Sequence, residues 1–291
     1  MQMLTRPPSL LRCAALPAPA LLPPLIYPAL SSLPVLLSVP HAGRDYPAWL
    51  TAMALGGRAA LEPLEDPDVD RLAAPAIAAG FGAVVARTPR AAIDCNRAED
   101  EIDPLVVAAS GGRRTSARAR GGLGIVPGRT LSHVSLWRRP ITRHELDQRI
   151  ALAHRPFHAA IADMLDALTR RFGCALLLDC HSMPPPPAGS PQIIIGDRYG
   201  RSAASWVTSR AMQIAHATGF TVGVNDPFAG GHIVERHGAP GHGVHAIQIE
   251  IDRRCYASGG AGFDRTAALL AALADGIGTA LLERDMPAAA E

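Results

Sequence analysis

The sequence predicts an α/β protein whose central, mostly parallel sheet is covered by helices on both faces. Short apolar runs at residues 35–39, 83–86, 175–178 and 193–195 are the right length for strands buried on both sides. Segments with apolar residues at helical spacing lie between and after them, at 68–80, 142–171, 202–219 and 264–283. Polar residues crowd immediately after the strands, where ligands collect in sheets of this kind.

Taken in order, residues 1–33 form an apolar, proline-rich lead. Across the first 37 residues Pro17, Pro19, Pro23, Pro24, Pro28 and Pro34 interrupt every candidate signal or membrane-spanning helix, so this stretch reads as a pliable lead rather than a targeting signal. One domain is expected over 34–291. Its first strand, 35–39, is closed by Pro40 and delivers His41 to its end. The helix at 68–80 contains Pro75, a possible kink, and Gly80-Phe81-Gly82 separates it from the strand at 83–86. Residues 106–132, rich in Gly, Arg, Ser and Thr with little periodicity, read as a long active-site loop. A helix follows from about Thr142 to Arg171, kinked near Pro156 and ended by Gly173. The strand 175–178 then delivers Asp179, Cys180, His181 and Ser182 to its far end, before Pro184 to Pro187 force an extended exit. Strand 193–195, the helix at 202–219, an alternating strand at 245–251 and a surface helix at 264–283 complete the chain.

Composition narrows the function. Of the 291 residues 48% are hydrophobic, enough for a sizeable core, and the formal net charge is only +2. Neither nucleic acid nor an anionic membrane is therefore an expected partner. Lysine is absent, so every permanent side-chain cation is arginine, whose planar fork suits carboxylates. The five cysteines form no CxxC pair, which fits a reducing, cytoplasmic setting better than a disulfide framework. A phosphate-binding GxxxxGK[ST] loop, a GxGxxG after a strand and a GxSxG elbow are all missing, which removes support from nucleotide-binding and serine-hydrolase readings.

Several residues remain as carriers of chemistry. His41 is either an ordinary loop histidine or a ligand, and His181 is better placed behind its three leucines. Two histidines and a carboxylate around an open position make a catalytic zinc set. The acidic run Glu65-Asp66-Pro67-Asp68-Val69-Asp70 offers the carboxylate, or serves only to cap and polarise a helix start. Asp66 and Asp70 are four residues apart, one turn of a helix. In Asp94-Cys95-Asn96-Arg97, Arg97 is either a recognition residue or a surface ion pair. Glu250 shares a strand face with Gln248 amid isoleucines, and is either a desolvated general base or the partner of Arg253 or Arg254. The segment from Asn225 to His232 is a tight turn, facing a ligand or simply solvent.

Together, Ser38-Val39-Pro40-His41-Ala42-Gly43, the stretch from Asp66 to Leu72, Arg90 with Asp94-Cys95-Asn96-Arg97, Gly122-Leu123-Gly124, Leu178-Asp179-Cys180-His181-Ser182-Met183, Gly196-Asp197, the stretch from Asn225 to His232 and Gln248-Ile249-Glu250 resemble the N-formylglutamate amidohydrolase family. That family is related to zinc carboxypeptidases and aspartoacylases. The resemblance spans about residues 34 to 256. It implies a three-layer phosphorylase/hydrolase-like fold with a mixed, mostly parallel sheet. It also implies one zinc ion on His41, Asp70 and His181, with Asp66 as the substitute carboxylate, and Glu250 as the residue that activates water. Asn96, Arg97 and Arg90 are implied as a clamp for the substrate carboxylate, with Asn225 and His232 also on the substrate side. The implied partner is a small N-acylated amino acid, N-formyl-L-glutamate first, cleaved to formate and L-glutamate; another N-acyl amino acid or peptide, or an inactive carboxylate-binding relative, is the alternative. The chain departs from the carboxypeptidase pattern at the third position after His41, which is Arg44 and not a glutamate.

Overall fold

A computed structural model describes residues 21–108, 116–130 and 135–285. The first twenty residues of the proline-rich lead and part of the 106–132 segment lie outside these. Seven strands are found among the described residues: β1 Leu25–Tyr27, β2 Val35–Val39, β3 Gly82–Val85, β4 Ala175–Met183, β5 Ile193–Gly196, β6 Val222–Val224 and β7 Val244–Asp252. They form one mixed sheet in the order β1-β3-β2-β4-β7-β5-β6. The pairings β2–β3, β2–β4, β4–β7 and β5–β6 are parallel, and the antiparallel ones are β1–β3 and β5–β7.

Alternation along the strands sorts side chains into two cores, giving three layers. Leu37, Val39, Leu176, Leu178, Ile247 and Ile249 face the helices Val69–Ala78, Ser205–Ala217 and Gly260–Asp285. Leu36, Val84, Ala175, Leu177 and Ala246 face the helices Arg155–Phe172 and His232–His237. A third apolar cluster, including Leu50, Leu61, Ile93, Ile125, Leu136 and Ile141, supports the loops that rise over the strand ends.

Four expectations change. β1 takes residues 25–27 of the lead into the sheet as an exposed edge strand, because Leu25-Ile26-Tyr27 between prolines is free to pair even though its side chains stay outside. β4 does not stop at Leu178; it runs to Met183, paired with β7 throughout, since its polar residues find partners within the layer instead of needing solvent. The helix Gly260–Asp285 is long and apolar enough to cross a membrane. It is not a surface helix, however: Leu269, Leu270, Leu273, Ala274, Ile277 and Leu281 are buried in the core. The run expected as one helix from 142 to 171 is divided into Arg143–Arg149, a π-helical turn Ile150–His154 and Arg155–Phe172. Pro156 stands in the first turn of the last piece, where its missing N–H costs little.

Gly173, in the left-handed region at φ 81°, terminates that helix as expected. The first piece, Arg143–Arg149, starts with a capping box: the Thr142 hydroxyl accepts from the Glu145 N–H while the Glu145 carboxylate accepts from the Thr142 N–H. Thr142→Ala is expected to lower unfolding free energy by about 1 kcal/mol, read as a lower urea midpoint at unchanged slope.

Candidate active site

On β4 the odd-numbered residues Asp179 and His181 follow Ala175 and Leu177 on one face, and on β7 Gln248 and Glu250 follow Ala246. His181 and Glu250 are direct register partners across the parallel ladder. β2 contributes Ser38 and, just past its end, His41. The carboxyl ends of three adjacent strands thus bring two carboxylates, Asp179 and Glu250, and two imidazoles together, as the crowding of polar residues there predicts.

Each histidine is oriented by a buried carboxylate. His41 Nε2 lies 2.7 Å from Asp94 Oδ1, and His181 Nε2 lies 2.9 Å from Asp179 Oδ2. Asp179 accepts through its other oxygen from the Ser38 hydroxyl at 2.8 Å; Asp94 accepts from Arg90 Nε at 2.9 Å through Oδ2 and from the Asn96 N–H at 2.8 Å through Oδ1. A carboxylate accepts only, so both imidazoles carry their proton on Nε2 and turn the lone pair of Nδ1 inward. The two Nδ1 atoms are 3.1 Å apart, and Asp66 Oδ2 is 3.3 Å from one and 3.1 Å from the other.

Three buried electron-pair donors at such distances repel unless a cation or a shared proton lies among them. Burial alone would raise the pKa of Asp66, but its contacts with His181 and His41 outweigh that and hold it well below the usual carboxylate range. His181, although burial opposes its charge, is pushed well above the ordinary imidazole value by Asp179 and Asp66. His41, Asp66 and His181 form a group that could hold a metal ion. Imidazole nitrogens backed by carboxylates, completed by one acidic oxygen, are the donor chemistry that zinc takes in catalytic sites. Asp179→Asn should weaken metal affinity about 10- to 100-fold by removing this backing, measured by competition with a chromogenic chelator.

Asp66, not Asp70, is the acidic member. The helix begins only at Val69, so the two aspartates are not stacked on one helical face. Asp66 precedes it, docked by its N–H on the His41 carbonyl at 3.0 Å, whereas Asp70 faces outward and accepts from Arg44 at 2.6 Å. Arg44, at the position where the carboxypeptidase pattern has a glutamate, thus removes Asp70 from the centre. Arg253 steadies the Asp66 loop, donating to the Glu65 carbonyl, to Asp66 Oδ1 and to Ser182 Oγ.

Glu250 is buried, and neither arginine considered for it is its partner: Arg254 pairs with Asp252. Its pKa is raised, chiefly by burial. Gln248 Nε2 donates to Glu250 Oε1 at 2.9 Å, and Gln248 Oε1 in turn accepts from Asn96 Nδ2 and from the Gly231 N–H. Gly231 is required there, since a Cβ would overlap the Asn96 amide.

A cavity of about 350 Å³ opens over these groups, lined among others by His41, Asp66, His181, Glu250, Arg90 and Arg97. Asn96 lines it too, but its amide oxygen is committed to the Ile233 N–H at 2.9 Å, so it is a framework residue as well as a wall. Arg97 is buried, donates to the carbonyls of Leu123 and Asn96, and has its pKa lowered by burial. Arg118 is a further lining residue. The arginine-rich composition of the 106–132 segment was the only signal for it. Two of the expected substrate-side residues are elsewhere. Asn225 is turned toward Asp197, donating to its Oδ1 at 2.7 Å and accepting from its N–H. His232 lines a second cavity with Arg97, Glu101, Arg118 and Glu235. The Asn225 turn closes on its own strand ends, which draws both side chains away from the centre.

The three-layer α/β fold and this convergent, carboxylate-backed centre are those of a hydrolase. The N-formylglutamate amidohydrolase family model matches residues 33–257. The chain is 30% identical over 233 residues to an N-formylglutamate deformylase of Pseudomonas putida, covering 77% of this chain and 82% of the relative. It is likewise 30% identical over 235 residues to one of Pseudomonas aeruginosa, again 77% and 82%. A crystal structure of N-formylglutamate amidohydrolase from Ralstonia eutropha JMP134 superimposes with a TM-score of 0.82 at 26% identity, over 90% of this chain and 99% of that one. This chain belongs to the N-formylglutamate amidohydrolase family.

Proposed function

We propose that the protein hydrolyses the formyl amide of N-formyl-L-glutamate to formate and L-glutamate, with one zinc ion held by His41, Asp66 and His181. The observation that carries this is the convergence of two carboxylate-oriented Nδ1 atoms and one aspartate oxygen beside a buried glutamate held by Gln248 and raised in pKa by burial. The names of the relatives supply the substrate. Zinc bound there would acidify a water and polarise the scissile carbonyl.

The chain's own residues do the rest. Glu250, with its proton affinity raised by burial and its carboxylate aimed by Gln248, takes a proton from the attacking water and passes it to the departing nitrogen. The C–N bond breaks and the amine leaves as glutamate. Arg97 and Arg118, on the cavity wall, grip the two carboxylates of a glutamyl group and fix the amide over the centre. Arg90 acts mainly through Asp94, which it holds against His41. The four described cysteines are all free and buried, which supports a cytoplasmic setting.

The reading is tested by a panel of N-formyl, N-acetyl and N-succinyl amino acids, in which formylglutamate should show the highest kcat/KM. A higher value for an acetyl or succinyl substrate would reassign the acyl group. Arg97→Ala should keep its metal yet lose about 2–5 kcal/mol of transition-state stabilisation, roughly 30-fold or more in kcat/KM. Arg97→Lys should recover only part of it, because an ammonium lacks the bidentate fork. Metal content and steady-state kinetics on both variants check this.

A further inference from the structure

Behind the segment that carries Asn96 and Arg97 lies a second group of histidines. The π-helical turn and the helix after it place His154 and His158 inward, four residues apart, and both are almost wholly buried. His232, at the start of the helix His232–His237, packs against both, with ring centroids 6.2 Å and 5.3 Å away. The His154 and His158 rings are 4.5 Å apart.

Hydrogen bonds fix which nitrogens are free. His154 Nε2 lies 2.8 Å from the Arg97 carbonyl oxygen, and His158 Nε2 lies 2.9 Å from that of Cys95. Carbonyls only accept, so both rings are protonated on Nε2 and present bare Nδ1 lone pairs. The Nδ1 of His154 and the Nε2 of His232 are buried with no hydrogen-bond partner. Such orphaned atoms are costly unless something fills the gap. The remaining nitrogen, His158 Nδ1, faces Nε2 of His237 at 2.9 Å. Burial lowers the pKa of all four imidazoles and Arg236 adds to the shift, while the Arg97 carbonyl and Glu99 oppose it at His154; His237 is held down to about 3. Neutral imidazole is the form that binds metal.

We propose that His154, His158 and His232 form a second metal site, for zinc or a similar borderline divalent cation, separate from the one at His41, Asp66 and His181. The three residues offer one ligand atom each within 4.8 Å of one another. The backbone carbonyls of Arg97 and Cys95 play the orienting part that carboxylates play at the first centre. On binding, His158 exchanges its hydrogen bond from His237 for the metal. The second cavity, which His232 lines, is the route of entry. The role is structural: the same two imidazoles that hold the metal grip the carbonyls on either side of Asn96, so an occupied site stiffens the segment that presents Arg97 to the substrate.

Metal counting decides the matter, by equilibrium dialysis of the purified full-length chain against zinc followed by elemental analysis. The wild type should bind two equivalents, Asp66→Asn one, His232→Gln one, and the double variant none. His232→Gln removes no hydrogen bond of that ring's Nε2, and circular dichroism verifies its folding. As a check that needs no change in this cluster, cobalt(II) added to Asp66→Asn should develop the intense visible bands of a four-coordinate site. A His232→Gln protein that binds as much zinc as the wild type would overturn the proposal, as would an Asp66→Asn protein that binds none; in either case a water fills the gap. If His232→Gln loses one equivalent and Asp66→Asn loses none, the second site stands and the reading of the first centre fails.

Discussion

Asp66→Asn is expected to lose the metal of the first centre and, with it, turnover of N-formylglutamate by on the order of 10³-fold or more, while the fold survives. The carboxylate is the only anionic member of the set, lying within 3.3 Å of both Nδ1 atoms. An amide keeps the size but removes the charge that offsets a divalent cation, and with it both the activation of water and the polarisation of the carbonyl. Asp70→Asn is the matched control. Asp70 pairs with Arg44 at the surface, where such a pair contributes little, so that variant should retain metal and activity. Metal content and kcat/KM for the two variants separate them; loss of metal in Asp70→Asn with retention in Asp66→Asn would reverse the ligand assignment.

Glu250→Gln is expected to retain metal and to bind substrate nearly as tightly as the wild type, yet to lose about 10²- to 10⁴-fold in kcat. Glutamine matches the shape and can still meet Gln248, but it cannot take a proton from water or return one to the leaving amine. The loss should therefore fall on kcat with little change in KM, the opposite of what removal of a binding group produces. If Glu250 instead serves only to pack β7 against β4, the variant will show a lower melting temperature and wild-type kinetics in the protein that remains folded.

How far the sequence discloses this molecule depends on the length and regularity of each signal. β2, β4 and β7 are legible because apolar runs and alternation persist over several residues, and the same alternation points Gln248 and Glu250 to one face. β1 and β6 have three residues each and carry no periodicity, so only their tertiary partners define them. His41 and His181 could be picked out at strand ends. Asp66 could not be separated from Asp70, because spacing along the chain does not say where a helix begins. The orienting roles of Asp94 and Asp179 depend on contacts between residues 53 and 2 positions apart respectively, and only the first needs the fold to exist. Arg118 sits in a segment with no pattern to read. His154 and His158 occupy positions that helical periodicity assigns to the core, and the core is where they are; nothing in the spacing announces that their free nitrogens meet His232.

The most direct test of the central claim is formate release from N-formylglutamate by the purified protein, before chelation, after chelation and dialysis, and after zinc is restored, with bound metal measured at each stage. Metal-dependent amide hydrolysis at His41, Asp66 and His181 predicts turnover that disappears with the metal and returns with it, and an Asp66→Asn protein that zinc does not rescue. Undiminished formate release from fully demetallated protein would contradict it.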